Sequence, residues 1–181
     1  MCITYMFLIG RWMGSWYEAR VAIDPAHTEE ADPALVNETK SNLYRYRRVG
    51  HDLAVVPATY VPLDIGMEIS VLPHYARGHV KAALLEVLGN RQLQNGGVGF
   101  FHPDNLRFGQ GIYLSRLIAA AKAVEGVETA SLYRFQRLGS LNGDALKNGI
   151  LPMGTWEIAQ LDNDPSFPEN GRLELKMGGG R

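Results

Sequence analysis

The stretch Phe100–Gln110, FFHPDNLRFGQ, gathers a histidine, an aspartate and an asparagine among three phenylalanines, with Pro103 and Gly109 as bends. A His102–Asp104 pair is a pattern for general acid–base chemistry, in which a carboxylate orients an imidazole that moves a proton. That chemistry also needs a third orienting group and a pocket that excludes water, and the sequence points to neither. The competing reading is packing: Asp104 or Asn105 bonds local backbone, while Phe100, Phe101 and Phe108 supply area to bury. A second candidate is LDNDPSFPENG, Leu161–Gly171, where Asp162, Asn163, Asp164, Glu169 and Asn170 offer the hard oxygen ligands that calcium prefers. Its glycine is misplaced for a helix–loop–helix calcium site, Pro165 and Pro168 stiffen it, and no flanking helices are predicted. A rigid turn whose Asp and Asn side chains cap their own backbone is the expectation.

Other chemistry is less well supported. His27, His51, His74, His79 and His102 include no His-x3-His pair and no paired short ligand motif, so no zinc site is expected. There is no G-x-S-x-G elbow, and Cys2 is far in sequence from any histidine. Gly96–Phe101, GGVGFF, lacks both the phosphate-loop lysine and the dinucleotide-binding glycine spacing. Its glycine and aromatic content, together with the rings and cations interleaved in Tyr44, Arg45, Tyr46, Arg47 and Arg48, is loosely that of a nucleic-acid surface. On a helix those five residues splay around the axis, which favours a partner for the helix dipole and a solvated face. No cofactor is expected.

The elements that must position these groups follow from composition and periodicity. The chain has 181 residues, 46% apolar and 20% charged, enough for one domain or two small ones with a real core. A net charge of −1 gives no global field to steer nucleic acid or an anionic membrane. One cysteine leaves no intramolecular disulfide and no thiolate-only metal site, which suits a reducing, cytoplasmic compartment. The apolar opening MCITYMFLIG is about half the ~18–20 residues of a membrane span, and Arg11 follows it instead of preceding it, so it reads as a strand or a ragged start.

Gly14–Asp24 alternates as a half-buried strand with Tyr17, Ala19, Val21 and Ile23 toward the core. Asp32 as N-cap and Pro33 at the first helical position open a helix to about Arg47, striped by Leu35, Thr39, Leu43 and Tyr46 and stopped by Gly50. Pro57 and Pro62 are expected to break the next extended region in two. Its second piece alternates Leu63, Ile65, Met67, Ile69 and Val71 with Asp64, Gly66, Glu68 and Ser70, one face core and the other wet. A second helix turns Val80, Leu84, Val87 and Leu88 inward and ends at a left-handed Gly89. Residues 90–99 read as a surface loop or hairpin tip. A third helix, with Leu114, Leu117, Ile118 and Ala121 inward, ends at Gly126 and precedes a strand over 128–138. Gly139–Gly154 reads as loop, and two short strands, TWEIAQL and GRLELKM, close the chain. The expected class is α+β: small mixed sheets in βαβ and βααβ units, as ferredoxin-like halves, with helices packed on one face and a C-terminal β-hairpin. The expected organisation is an N-terminal segment 1–10, a βαβ unit 11–57, a βααβ unit 58–138 and a C-terminal loop and hairpin 139–181.

The motifs GFFHPDN-x-x-FGQ-x-x-YLS and LDNDP-x-FPENGRLEL, with RYRRVGHDLAVVPATYVPLDIGMEISVLPHYARGHVKAALLEVLG before them, closely resemble the C-terminal part of baseplate assembly proteins, relatives of the baseplate J-like family. That family builds wedges in contractile phage tails and related bacterial injection systems. The resemblance runs from about Arg11 to Arg181. It implies a structural protein without catalytic residues or cofactors, whose partners are other wedge subunits and sheath- or tube-proximal proteins in a ring-shaped assembly. It implies neither nucleic-acid binding nor direct membrane insertion, and a cytoplasmic protein assembled into a tail-like particle. It also implies a short chain, because family members have a large region before the position of Arg11, where this sequence has ten unmatched residues. Structural or interface candidates under this reading are Phe100, Phe101, His102, Asp104, Asn105, Phe108, Gln110, Tyr113, Asp162, Asp164 and Phe167. The segment FFHPDNLRFGQ then becomes a rigid connector between the second and third helices. Two other readings compete: a metal-dependent hydrolase using His102, Asp104 and the terminal acidic loop, and a small nucleic-acid-binding α+β module using Tyr44–Arg48.

Overall fold

The computed structural model describes residues 3–14, 16–26, 28, 31–93, 96–140 and 144–181. Their fold is α+β, as expected, with small sheets and short helices. The chain divides into two compact units, Met1–Thr59 and Tyr60–Arg181.

In the first unit, β1 (Ile3–Trp12) runs antiparallel to β2 (Tyr17–Pro25), and β2 pairs in parallel with β3 (His51–Pro57). Parallel neighbours need a crossover, and α1 (Pro33–Tyr44) supplies it. The Asp32 side chain accepts the Ala34 N–H at 2.9 Å and Pro33 fills the first turn, as the sequence predicts. Val21, Ile23 and Leu53 form the buried cluster, and Leu35, Val36 and Leu43 of the helix pack against it. The helix is shorter than expected. It closes at Tyr44, where Tyr46 N–H turns back to the Leu43 carbonyl, so Gly50 is not its stop and Tyr46 leaves the apolar stripe for solvent.

The second unit is built on β4 (Thr59–Val71). Pro62 does not break this strand: its missing N–H is tolerated while its carbonyl accepts the Leu138 N–H. Leu63, Ile65, Met67 and Ile69 are fully buried, so the alternation read from sequence is realised as the centre of the core. At about 1.5–3 kcal/mol for each such side chain, this one strand is a major source of stability. α2 (Arg77–Val87) and α3 (Leu114–Lys122) bring Val80, Leu84, Leu117 and Ala121 onto the apolar layer. α3 closes at Lys122 with Ala123 as its C-cap, so Gly126 is not its stop; at φ +90° it sits in the turn that follows. Gly89 is not left-handed; a side chain there would press on the Leu85 carbonyl at 2.7 Å. Between the helices lies β5 (Ile112–Tyr113), and α3 leads to β6 (Val127–Arg137), antiparallel to β4. The region expected to be loop contains α4 (Asp144–Asn148) and β7 (Ile150–Leu151), the latter paired with β5. The C-terminal strands β8 (Glu157–Gln160) and β9 (Arg172–Gly179) both pair with β4, β9 in parallel over Asp64–Val71. Among the described residues no helix is long and apolar enough to cross a membrane.

Candidate functional site

Four regions carry enough chemistry to examine. The connector Phe100–Gln110 is tied down at both ends: Phe100 N–H donates to the Val87 carbonyl and Gly109 N–H to the Glu157 carbonyl. Pro103–Asn105 form a 3₁₀ turn. Within it, His102 Nδ1 accepts the Asp104 N–H at 3.2 Å, and the Asn105 side-chain amide donates to the Phe100 carbonyl at 2.9 Å. His102 is buried. Its Nδ1 lies 3.9 Å from the nearer Asp104 carboxylate oxygen, beyond hydrogen-bond reach. The imidazole nitrogen that a carboxylate would have to orient is instead spent on backbone, which is helix-capping geometry and not that of an acid–base dyad. Phe101 is fully buried and meets Phe100 edge-on at 4.9 Å; the Arg116 guanidinium lies 5.5 Å from the Phe100 ring centre. Phe108 and Gln110 are half-buried, and Tyr113 stands exposed.

The acidic turn is equally self-contained. Asp162 accepts from the Asn90 amide at 2.9 Å with one oxygen and from the Asn170 amide at 2.8 Å with the other. Asp164 caps Ser166 N–H at 2.8 Å, and Asn163, at φ +51°, accepts Leu173 N–H at 2.9 Å. These carboxylates and amides satisfy backbone and one another, the pattern of a rigid turn. Phe167 is exposed at its tip. No group of three or more His, Cys, Asp or Glu that could hold a metal ion occurs among the described residues. His27 lies outside the described residues.

Sequence reasoning missed the third region. The face of β4 expected to be wet carries Asp64, which is only 2% exposed. β6 and β9 flank it, pairing Gln136 and Arg172 with Asp64. Arg172 grips the carboxylate with two bonds, Nε at 2.7 Å and Nη2 at 3.0 Å, and Arg134 Nε adds a third at 2.8 Å. Arg134 pairs with Gly66 in the regular register, two residues from Gln136 and so on the same face as Asp64, and a bulge then inserts Tyr133 between the Gly66 and Met67 pairings. The Tyr133 ring then lies flat on Gly66, where a Cβ would meet it at 2.6 Å, and Lys176 Nζ sits 4.1 Å from the ring centre. Arg134 Nη2 reaches across to Glu174 at 2.8 Å. Burial alone would raise the Asp64 carboxyl, but hydrogen bonds and charge from Arg172 and Arg134 outweigh it and hold the group below its ordinary range. Burial pushes the Tyr133 phenol up. At the end of β6, Arg137 forks onto Glu157 at 2.6 and 3.0 Å, and these bonds, with the Gly154 N–H, lower that carboxyl. Asp64 shares the polar parity of β4 with Glu68 and Ser70, so nothing local singles it out; its partners lie 70 and 108 residues away.

The fourth region is Tyr44–Leu53. Arg45, Tyr46, Arg47, Arg48 and Val49 are all exposed, with Tyr46 at 84%. Arg47 lies 4.1 Å over the Tyr44 ring. Trp12 meets Tyr17 at 5.1 Å, and Tyr17 stacks on His51 at 5.9 Å. A cavity of about 310 Å3 opens between Ala19, Leu43 and Leu53 under Tyr46, Arg47 and Arg48.

No family model and no curated protein matches the chain. Among solved structures, the cryo-electron-microscopy structure of the anti-feeding prophage baseplate, 6-fold symmetrised, contains a chain that aligns over 94% of this one at 13% identity with a TM-score of 0.47. The aligned part is 38% of that chain, so this protein spans well under half the length of the baseplate chain to which it is similar.

Proposed function

We propose that this protein is a non-catalytic building block of a contractile-tail or injection-system baseplate, acting through protein–protein interfaces. The observation that supports this is the extended resemblance of GFFHPDNLRFGQGIYLS and LDNDPSFPENGRLEL to baseplate assembly proteins. The geometry of both segments is compatible with it. Their polar groups are turned onto their own backbone and neighbouring strands, leaving Tyr113 and Phe167 outward. In this reading the connector holds the end of α2 against α3 and β8, the acidic turn holds β8 against β9, and the outward rings face neighbouring wedge subunits or sheath- and tube-proximal proteins. Repetition of such contacts is satisfied most simply in a closed ring. The protein is made in the cytoplasm and assembled there into a tail-like particle.

Sedimentation tests the proposal. The tagged chain is expressed in its native host, lysate is spun to pellet large particles, and the pellet is examined by blot and negative-stain microscopy. The protein is expected in the fraction that contains tubes and baseplates. If it remains in the supernatant while such particles form without it, the proposal fails.

A further inference from the structure

From the Tyr44–Leu53 region of the first unit we infer a docking groove for an acidic protein segment that carries an apolar anchor side chain. The aliphatic part of the cavity is formed by Ala19 of β2, Leu43 of α1 and Leu53 of β3, with His51 also in its lining. Its rim is cationic. Arg45, Arg47 and Arg48 are exposed, and none makes an ion pair with a described residue; Arg47 has only the Tyr44 ring. The carboxylate on the same rim, Asp52, accepts the Leu53 N–H at 2.8 Å and is no partner for them. Two arginines lining an apolar slot, Arg47 and Arg48, with the exposed Arg45 next to them in the chain, call for negative charge flanking a hydrophobic side chain. Tyr46 at 84% exposed and Val49 fully exposed extend the apolar contact beyond the slot, and Trp16 borders a second depression beside Val49 and His51.

The alternative occupant for a ring-and-arginine surface is single-stranded nucleic acid, which needs free ring faces for stacked bases. Here several rings already face one another or a cation: Trp12 is set against Tyr17, Tyr17 is stacked on His51, and Tyr44 lies under Arg47. In the lining of the slot the His51 ring is already stacked on Tyr17, and Ala19, Leu43 and Leu53 supply aliphatic wall. A peptide side chain fits that lining better than a base, and carboxylates match the rim. This inference takes the partner's identity, another subunit of the particle, from the assembly reading, but its chemistry does not depend on that reading.

The immobilised full-length chain is panned against a random peptide library, with an Arg47→Glu/Arg48→Glu double variant as counter-selection. Enriched peptides are synthesised with a fluorophore, and anisotropy titrations compare wild type, the double variant, Tyr46→Ala and a labelled oligothymidine probe. All substituted residues are exposed, so thermal melts of the variants are expected to match wild type. The enriched set is expected to be rich in Asp and Glu around at least one large apolar residue. Binding is expected to fall about tenfold or more on charge reversal and to weaken as salt rises. Three outcomes overturn the inference: no enrichment, enrichment of neutral or basic peptides, or oligothymidine binding more tightly than any peptide through the same arginines. Because the isolated chain is used, any of these leaves the sedimentation result standing, and a failed sedimentation leaves this groove testable.

Discussion

The connector Phe100–Gln110 and the segment Tyr44–Leu53 are both rich in rings and polar side chains, yet they fold into opposite situations. In the connector, His102, Asn105 and Phe101 are turned inward, and the polar atoms find backbone partners within five residues. In the other segment the rings and arginines stand in solvent, without ion pairs to described residues, around an open slot. The residue types that suggest chemistry are therefore a poor guide to where interaction occurs. What separates the two is whether nearby backbone leaves unpaired groups for the side chains to satisfy. In the turn opened by Pro103 the Asp104 N–H and the Phe100 carbonyl take the His102 and Asn105 side chains, whereas past the end of α1 the Tyr46 and Arg47 N–H groups bond the Leu43 and Tyr44 carbonyls within the backbone.

The largest test of this contrast is Phe101→Ala. The ring is fully buried, so its removal is expected to cost about 3–5 kcal/mol. Chemical denaturation measures the loss. A cost below about 1 kcal/mol would mean that the connector is not part of the core. Phe108, only half-buried, is expected to cost less on the same change.

Asp64→Asn probes the charged face of β4. Removing the charge leaves Arg134 and Arg172 with a neutral partner over a buried site, and an expected cost of about 2 kcal/mol at neutral pH follows. The pH dependence has a definite sign. The folded carboxyl lies below its ordinary value of 3.8, so its stabilisation is complete above that pH and is lost as pH falls through the folded value. The stability gap between wild type and Asp64→Asn is therefore expected to close in acid below pH 3.8. A gap that stays constant into strong acid would show that the carboxylate charge contributes nothing. Glu157, held by the separate Arg137, titrates alike in both proteins and cancels in the difference, whereas Glu174 shares Arg134 with Asp64 and contributes to the gap.

How far this arrangement was legible in the sequence depends on the distance over which each part is specified. The apolar parity of β4 and the Asp32–Pro33 helix start are local, and each appears where the pattern put it. The N-terminal apolar run is a strand, one of the two forms read for it. Asp64 was read as wet because alternation reports only which face a residue takes, not whether arginines from β6 and β9 will roof it. The Tyr133 bulge shifts which residues of β6 share that face, and nothing in a period-two pattern marks it. Pro62 was read as a break, although a strand tolerates proline where the missing donor has no required partner. α4 and β7 are five and two residues long, too short for periodicity to register. In the candidate sites, the self-capping of the acidic turn was readable from its Asp, Asn and Pro content. The Tyr44–Leu53 slot was not, because Ala19, Leu43 and Leu53 come together only through the parallel pairing of β2 and β3.

Gly66→Ala addresses that non-local order at smaller scale. The new methyl meets Cε2 and Cζ of Tyr133 at 2.6 Å, and the ring must lift from the sheet and disturb the contacts with Lys176 and Arg134. A loss of about 1–2 kcal/mol is expected from overpacking. Combining it with Tyr133→Ala removes the clash, so a double-mutant cycle is expected to recover part of that loss; strict additivity would mean that ring and glycine are not coupled.

Tyr46→Ala is expected to have the smallest effect and sharpens the comparison most. The side chain is 84% exposed and lies beyond the last turn of α1, so stability is expected to change by less than about 0.5 kcal/mol. A ring retained in solvent at no cost to folding contributes nothing that the isolated fold requires. If melting is unchanged while binding of acidic peptides weakens, the surface at Tyr44–Leu53 and the core at Phe101 are separable, one serving contact and the other shape. If Tyr46→Ala destabilises the chain by as much as Phe101→Ala, the contrast between the two regions collapses, because the exposed segment would then be part of the scaffold.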